Sequence, residues 1–164
     1  MDAEWDLRAR TSASDAGNGA SVLILPLIPV PAEIGGGELL ALAAFGSVRL
    51  PIDRVRPNET SLRAAERIAL GQFGVQVRAE RITYVLERSG QPLTLAILCE
   101  LQDADAGAEQ PGVRFVRLRA DTELDPAALL APLLEDLPSQ FARGVAHVLV
   151  RYDQHGQEAT EVRW

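Results

Sequence analysis

The sequence predicts an α+β sandwich, from two features of its pattern. Short apolar and β-branched runs typical of strands lie beside stretches of helical periodicity, without the regular strand–helix alternation of a parallel α/β fold. The chain has 164 residues, 47% of them hydrophobic, which suffices for one domain with its own core. We expect a flexible polar arm over residues 1–20, a folded domain over 21–152 and a polar tail over 153–164.

The first strands are predicted at the start of the domain. Residues 21–30 (SVLILPLIPV) are suited to a buried strand, and Pro26 and Pro29 favour a sheet edge or a bulge. Residues 38–50 (ELLALAAFGSVRL) predict a second strand. The glycine-rich stretch 31–37 predicts the turn that joins the two strands into a hairpin.

An amphipathic helix is predicted next. Either Thr60 or Ser61 is suited to cap its N-terminus, and Gly74 lies where a left-handed residue would end it. Gly71 in the last turn weakens the helix by about 1 kcal/mol relative to alanine. The predicted packing stripe consists of Leu62, Ala65, Ala69 and Phe73.

The second half of the chain predicts further strands and two helices. Residues 77–102 predict a hairpin that turns at SGQP, and an acidic loop follows over 103–112. Residues 113–120 (VRFVRLRA) predict another strand. Apolar residues then recur at helical spacing over 125–137 and 141–152, which predicts two helices. The tail beyond them has no assigned structure.

Composition excludes several classes of function. A formal charge of -7 argues against non-specific binding to nucleic acid, which needs cations that neutralise phosphates. No apolar run reaches 18 residues, so we expect no membrane span. The single Cys99 allows no internal disulfide, which favours a cytoplasmic location. Local basic clusters favour either a solvated strand face or phosphate binding; they are Arg49, Arg54 and Arg56, and Arg114, Arg117 and Arg119.

The segment 53–75 resembles the signature of Nudix hydrolases, G-x5-E-x7-R-E-U-x-E-E-x-G-U, where U is apolar. Glu59 matches the first glutamate and Arg67 the arginine, while Gly74 and Val75 match the closing pair. Asp53 stands in place of the first glycine. The resemblance implies an α/β/α sandwich with a mixed sheet, hydrolysis of nucleoside diphosphate derivatives, and magnesium or manganese held by carboxylates of the helix. It also implies that Glu59, Arg67 and Gly74 form the frame of the loop and helix.

Three departures from the signature fall on the carboxylate positions. Ile68 replaces the glutamate after the arginine, and Gly71 and Gln72 replace the paired glutamates. Hard divalent cations require charged oxygen ligands, which none of these residues offers. We therefore expect no metal or other cofactor, and interpret the chain as a degenerate Nudix-like module. Its expected role is to bind a nucleotide-like ligand or a protein.

Alternatives remain open from the sequence, and whether the chain is an enzyme is one of them. Hydrolysis with magnesium or manganese would need displaced carboxylates, for which the candidates are Asp53, Glu59, Glu100 and Asp103. Arg54 and Arg56 are candidates for contact with ligand phosphates in either case. The apolar run 22–30 suggests a homodimer, and the match to the signature is also compatible with an ordinary capped amphipathic helix.

Overall fold

The computed structural model describes residues 21–30, 38–88, 90–102, 111–119, 121–125, 146–152 and 155–163. Predictions for the N-terminal arm, the turn at 31–37, most of the acidic loop and the helix beyond Pro126 lie outside these residues. The described elements are β1 Val22–Leu27, β2 Glu38–Ala44, β3 Ser47–Arg49, β4 Asp53–Arg54, α1 Ser61–Phe73, β5 Val77–Arg88, β6 Leu93–Leu101, β7 Val113–Arg117, β8 Leu124–Asp125, β9 Ala146–Tyr152 and β10 Glu158–Arg163.

The described strands form two mixed sheets. One has six strands in the order β10-β9-β5-β6-β1-β4, and the other has four in the order β7-β2-β3-β8. In the larger sheet β1 runs parallel to β6, and β5 runs parallel to β9, while the remaining pairs are antiparallel. The predicted hairpin of β5 and β6 is present. The α+β class predicted from the sequence is therefore confirmed.

The predicted hairpin between the first two strands is wrong. β1 pairs along its whole length with β6, from Val22 opposite Leu93 to Leu27 opposite Leu98. β2 belongs to the other sheet, and the two segments meet only at an isolated bridge between Pro29 and Leu39. The reason is competition between possible partner strands. β6, although distant in sequence, pairs with β1 in parallel and satisfies the backbone hydrogen bonds that a hairpin with β2 would have made.

The proline in β1 does mark a sheet edge, as predicted. β4 pairs only with Leu23 and Ile24, so no described strand covers β1 on that side at Pro26, which has no N–H to donate. The β1 side chains from Ile24 to Leu27 are buried, with Ile24 and Leu27 fully inaccessible. The apolar run therefore contributes to the core, and the homodimer stays a prediction.

The second predicted strand is in fact a tight hairpin. β2 and β3 pair antiparallel around Phe45 and Gly46, with Ala44 opposite Ser47. Both turn residues have positive φ, 51° for Phe45 and 82° for Gly46, which suits a type I′ turn. The asparagine or aspartate that usually precedes the glycine is absent, so this turn is hard to predict from the residues alone.

The predicted last helix is wrong as well. Residues 146–152 form β9, which lies parallel to β5 and antiparallel to β10. The segment contains Val148 and Val150 at alternate positions, which suits a strand, and pairing on both sides outweighs the helical spacing. The tail that the sequence left unassigned supplies β10.

Two apolar clusters bury opposite faces of the strands. Alternation divides β1 between them, since Leu25 and Leu27 face one cluster while Ile24 faces the other. α1 covers the second cluster with Ala64, Ala65, Ile68, Ala69 and Phe73. Leu62, predicted to pack, is 39% exposed instead. This packing fixes α1 against the sheet and positions the loop that precedes it.

Candidate functional site

The loop before α1 and the first turns of the helix form the candidate site. Thr60 caps the helix, because its side-chain oxygen accepts a hydrogen bond from the Arg63 amide at 3.3 Å. Asn58 adopts φ 63° in the loop, a conformation that asparagine tolerates better than most residues. Gly74 ends the helix at φ 69° and donates its amide to the Leu70 carbonyl. Both predicted helix boundaries are confirmed.

Arg67 connects the helix to the loop through four hydrogen bonds. Its Nε donates to Glu59 Oε1 at 2.8 Å, and its Nη2 donates to Glu59 Oε2 at 3.0 Å. Its Nη1 donates to Asp53 Oδ2 at 3.0 Å, and Nη2 also donates to the Arg54 carbonyl at 2.8 Å. The bidentate contact with Glu59 uses the planar fork that only arginine provides. The Glu59–Arg67 pair implied by the sequence resemblance is present.

The two carboxylates also bind the loop backbone. Glu59 Oε2 accepts from the Arg56 amide at 2.9 Å, and Asp53 Oδ1 accepts from the Arg54 amide at 2.8 Å. All four carboxylate oxygens of Asp53 and Glu59 therefore have donors within the loop and helix. Neither residue presents an oxygen without a hydrogen bond.

These contacts shift the acidity of the three side chains. The hydrogen bond from Arg67 is the largest influence on Glu59 and lowers its pKa, against an opposing effect of burial. For Asp53 burial is the largest single influence and raises the pKa, but the Arg54 amide and Arg67 outweigh it, so the pKa is lowered. The pKa of Arg67 is raised, chiefly by the hydrogen bond to Glu59. All three groups are held in their charged forms.

Gln72 closes the other end of the site. Its amide nitrogen donates to the Ile52 carbonyl at 2.8 Å, and its Oε1 accepts from the Ile52 amide at 3.2 Å. The Gln72 side chain thus makes hydrogen bonds with both the backbone N–H and the backbone C=O of Ile52, 20 positions away. A carboxylate would accept from the Ile52 amide but has no proton to give to the carbonyl at neutral pH. The amide is therefore the form that fits this contact.

Comparison with known proteins bears on the fold. No protein-family model and no curated protein sequence matches this chain. A Nudix hydrolase structure from Nitrosomonas europaea aligns with 80% of this chain and 78% of its own, at 17% identity and a TM-score of 0.60. UDP-X diphosphatase aligns with 91% of this chain and 75% of its own, at 15% identity and a TM-score of 0.57. The mutator protein MutT from Bacillus halodurans aligns with 87% of this chain and 97% of its own, at 10% identity and a TM-score of 0.55.

The chain has the Nudix hydrolase fold. Identities of 10–17% establish the fold alone. The fold confirms the α+β architecture that the sequence resemblance implied.

The donor set at the three departing positions does not fit a divalent cation. Ile68 is 1% exposed and packs in the core beneath α1. Gly71 has no side chain, and Gln72 uses both its oxygen and its nitrogen on Ile52. Magnesium and manganese prefer charged oxygen ligands. The three positions at which the sequence departs from the signature are thus occupied by a buried apolar residue, a glycine and an amide that is hydrogen-bonded to the backbone.

The three candidate carboxylates that the structure describes, Asp53, Glu59 and Glu100, do not form one group that could hold a metal ion. Asp53 and Glu59 share Arg67, whose positive charge opposes a cation between them. Glu100 is elsewhere, in an ion pair with Arg78 at 2.5 Å, and Asp103 lies outside the described residues. Among the residues that the structure describes, no three histidine, cysteine, aspartate or glutamate side chains are grouped to hold a metal ion.

Glu66 has a structural contact that the sequence did not reveal. Its Oε1 accepts from the Ala79 amide at 3.3 Å, where the pairing of β5 with β6 is irregular. Its Oε2 accepts from Arg63 at 3.2 Å. Glu66 therefore ties α1 to β5, on a different side of the helix from Gln72.

Arg54 and Arg56 present exposed side chains on the loop. Within the described ranges neither guanidinium takes part in a hydrogen bond or ion pair, while Arg67 supplies the internal contacts. Arg56 nevertheless helps to lower the pKa of both Asp53 and Glu59 through its charge. Arg67 therefore serves the internal structure of the loop, whereas the side chains of Arg54 and Arg56 point to solvent.

No helix in the described part of the chain is both long and apolar enough to cross a membrane.

Proposed function

We propose that this chain is a Nudix-fold module that binds a nucleoside diphosphate derivative without hydrolysing it. The observation that carries the proposal is the closure of the signature segment by its own side chains. Gln72 spans both polar groups of Ile52, and Arg67 satisfies Asp53 and Glu59. The polar groups of this segment are paired with one another rather than arranged around a metal ion, which favours ligand binding over hydrolysis.

The loss of hydrolysis follows from what the ion contributes in metal-dependent phosphoryl chemistry. A bound cation neutralises developing charge and generates or orients the attacking water, which is worth several kcal/mol. Each ~1.4 kcal/mol lost slows the reaction tenfold. Ile68, Gly71 and Gln72 cannot replace that contribution, because none carries a negative charge.

The ligand class is supported by the fold and by the two outward arginines. UDP-X diphosphatase is among the structures that share the fold, and guanidinium groups suit phosphate oxygens in a bidentate geometry. Arg54 and Arg56 are exposed and lie on the loop that Arg67 orders from the inside. We propose that they contact the diphosphate of the ligand.

Calorimetric titration with a UDP-sugar tests the proposal. We expect binding by the wild-type chain, with the ligand recovered intact by mass spectrometry. Arg54→Gln/Arg56→Gln should weaken binding by about tenfold or more, the loss expected for two charge-assisted contacts. Arg117→Gln is the control outside the loop, because it removes one arginine charge from β7, where Arg117 pairs with Glu38.

Cleavage of the ligand would instead support the displaced-carboxylate hydrolase. In that case activity with magnesium or manganese should disappear in Asp53→Ala or Glu59→Ala. Equal affinity of the wild-type chain and the double arginine variant would contradict the assignment of Arg54 and Arg56 to the diphosphate.

A further inference from the structure

The backbone at the two outward arginines of the loop is held by the ion-pair network behind it. Arg54 donates its amide to Asp53 and accepts at its carbonyl from Arg67, both at 2.8 Å. Arg56 donates its amide to Glu59 Oε2 at 2.9 Å, and its carbonyl accepts from the Glu59 amide at 3.3 Å. The network thus fixes where each arginine side chain begins while both side chains stay exposed. Groups that are positioned in advance lose less entropy when a ligand binds.

The residue between the two arginines faces the interior. Val55 is partly buried against the apolar cluster beneath α1, and its amide donates to the Val22 carbonyl of β1 at 3.0 Å. In an extended segment, the residues on either side of an inward side chain point outwards together. Arg54 and Arg56 therefore present two cations on one side of the loop, which suits the neighbouring phosphates of a diphosphate.

The oxygen donors beside this pair do not suit a metal ion that arrives on the ligand. The carboxylates of Asp53 and Glu59 are shared with Arg67 and with loop amides, and the charge of Arg67 opposes a second cation between them. The amide of Gln72 is engaged with Ile52. A magnesium ion on a diphosphate would therefore gain little from this surface.

We infer that this loop takes the metal-free form of the diphosphate, and that magnesium in solution weakens binding by occupying the phosphate oxygens that Arg54 and Arg56 contact. The inference rests on the proposed function and adds the ionic form of its ligand. Magnesium on a diphosphate offsets part of its negative charge and keeps several water molecules around itself. Guanidinium groups recognise bare, charged phosphate oxygens, so both effects reduce their attraction to the ligand. A metal-dependent hydrolase would show the opposite dependence on magnesium.

Calorimetric titration with UDP tests the inference, because the two phosphates of UDP together chelate magnesium. The dissociation constant of the wild-type chain should rise about tenfold between a buffer with EDTA and one with saturating magnesium, the loss of roughly one charge-assisted contact. Sodium chloride added to the EDTA sample equalises the ionic strength and controls for screening. Arg56→Gln should bind more weakly in EDTA and lose part of the magnesium effect. Arg117→Gln, which removes one charge from β7, should keep the full effect.

Restoring carboxylates on α1 should reverse the sign of the effect. Gly71→Glu/Gln72→Glu supplies two adjacent carboxylates, so magnesium can join the helix to the diphosphate and should strengthen UDP binding. Gln72→Ala is the control for the lost contact with Ile52, because it removes that contact without adding charge. Magnesium should still weaken UDP binding by Gln72→Ala, and melting temperatures show that each variant is folded.

The outcomes separate this inference from the proposed function. Absence of UDP binding in both buffers would overturn the proposed function and the inference together. Binding in EDTA that is equal or tighter in magnesium would overturn the inference alone and leave a ligand-binding module. A magnesium effect that is unchanged in Arg56→Gln would show that the ion does not compete with this arginine, which also overturns the inference.

Discussion

Arg67 is the side chain on which the order of the signature loop depends. It is the shared partner of Asp53 and Glu59, and it also holds the Arg54 carbonyl. Its side chain is only 23% exposed, and that of Glu59 only 15%, so their contact is better shielded than a surface ion pair. The loop geometry thus follows from one planar group rather than from a bound ion.

Replacing Arg67 should change both stability and its dependence on pH. Arg67→Gln should lower the free energy of unfolding by about 1–3 kcal/mol at pH 7, because it leaves charged acceptors without their donor. The lowered pKa values of Asp53 and Glu59 stabilise the fold above their unfolded pKa values, near pH 4, and this stability is lost as the pH falls through the folded values. The wild-type and variant curves should therefore converge below about pH 4.

Urea unfolding at several pH values measures this effect. Arg63→Gln is the matched control, since the Arg63 side chain is 79% exposed and pairs only with Glu66 on the helix surface. That change should cost no more than about 0.5 kcal/mol at any pH. Parallel curves for the wild-type chain and Arg67→Gln down to low pH would show that the carboxylates do not depend on Arg67.

The sequence predicts α1 well because its signals are local. The Thr60 cap, the left-handed Gly74 and most of the buried stripe each depend on a few neighbouring residues. Elements paired over long distances were harder to assign. β1 finds its partner 71 positions away in β6, from Val22 to Leu93, and β9 is a strand because β5 and β10 flank it.

The contacts of the candidate site also differ in how far they could be predicted from local sequence. The Glu59–Arg67 pair, eight residues apart, was implied by the resemblance to the Nudix signature. The Gln72–Ile52 contact was not, because it joins residues 20 positions apart and depends on how α1 packs on the sheet. From the sequence, Gln72 was noted only because it replaces a glutamate of the signature. In the structure its amide bonds both the carbonyl and the amide of Ile52.

α1 also contains a position that can be improved. Apart from its chain neighbours and the backbone of α1 itself, no atom lies within 4 Å of a Cβ added at Gly71, and its φ is not in the left-handed region. Gly71→Ala should therefore raise the free energy of unfolding by about 0.5–1 kcal/mol, through lower chain entropy in the unfolded state. Gly74→Ala is the control of opposite sign, because φ 69° disfavours alanine and should cost about 1–2 kcal/mol. Thermal or urea unfolding measures both, and a destabilising Gly71→Ala would indicate that the helix end is not regular.

The fold as a whole is maintained by packing that does not involve the signature carboxylates. Two apolar clusters bury both faces of the strands, and Ile68 contributes to one of them from a position that carries glutamate in the Nudix signature. A charged side chain buried to that degree would be costly. The architecture therefore does not require a carboxylate at position 68, where Ile68 adds to the core.

Calorimetric titration with manganese tests whether the segment from Asp53 to Val75 binds a divalent metal ion. We expect no binding by the wild-type chain at concentrations up to ~1 mM, and measurable binding by Gly71→Glu/Gln72→Glu, which supplies two adjacent carboxylates on α1. Manganese binding by the wild-type chain that disappears in Asp53→Ala would contradict the account and restore the displaced-carboxylate hydrolase.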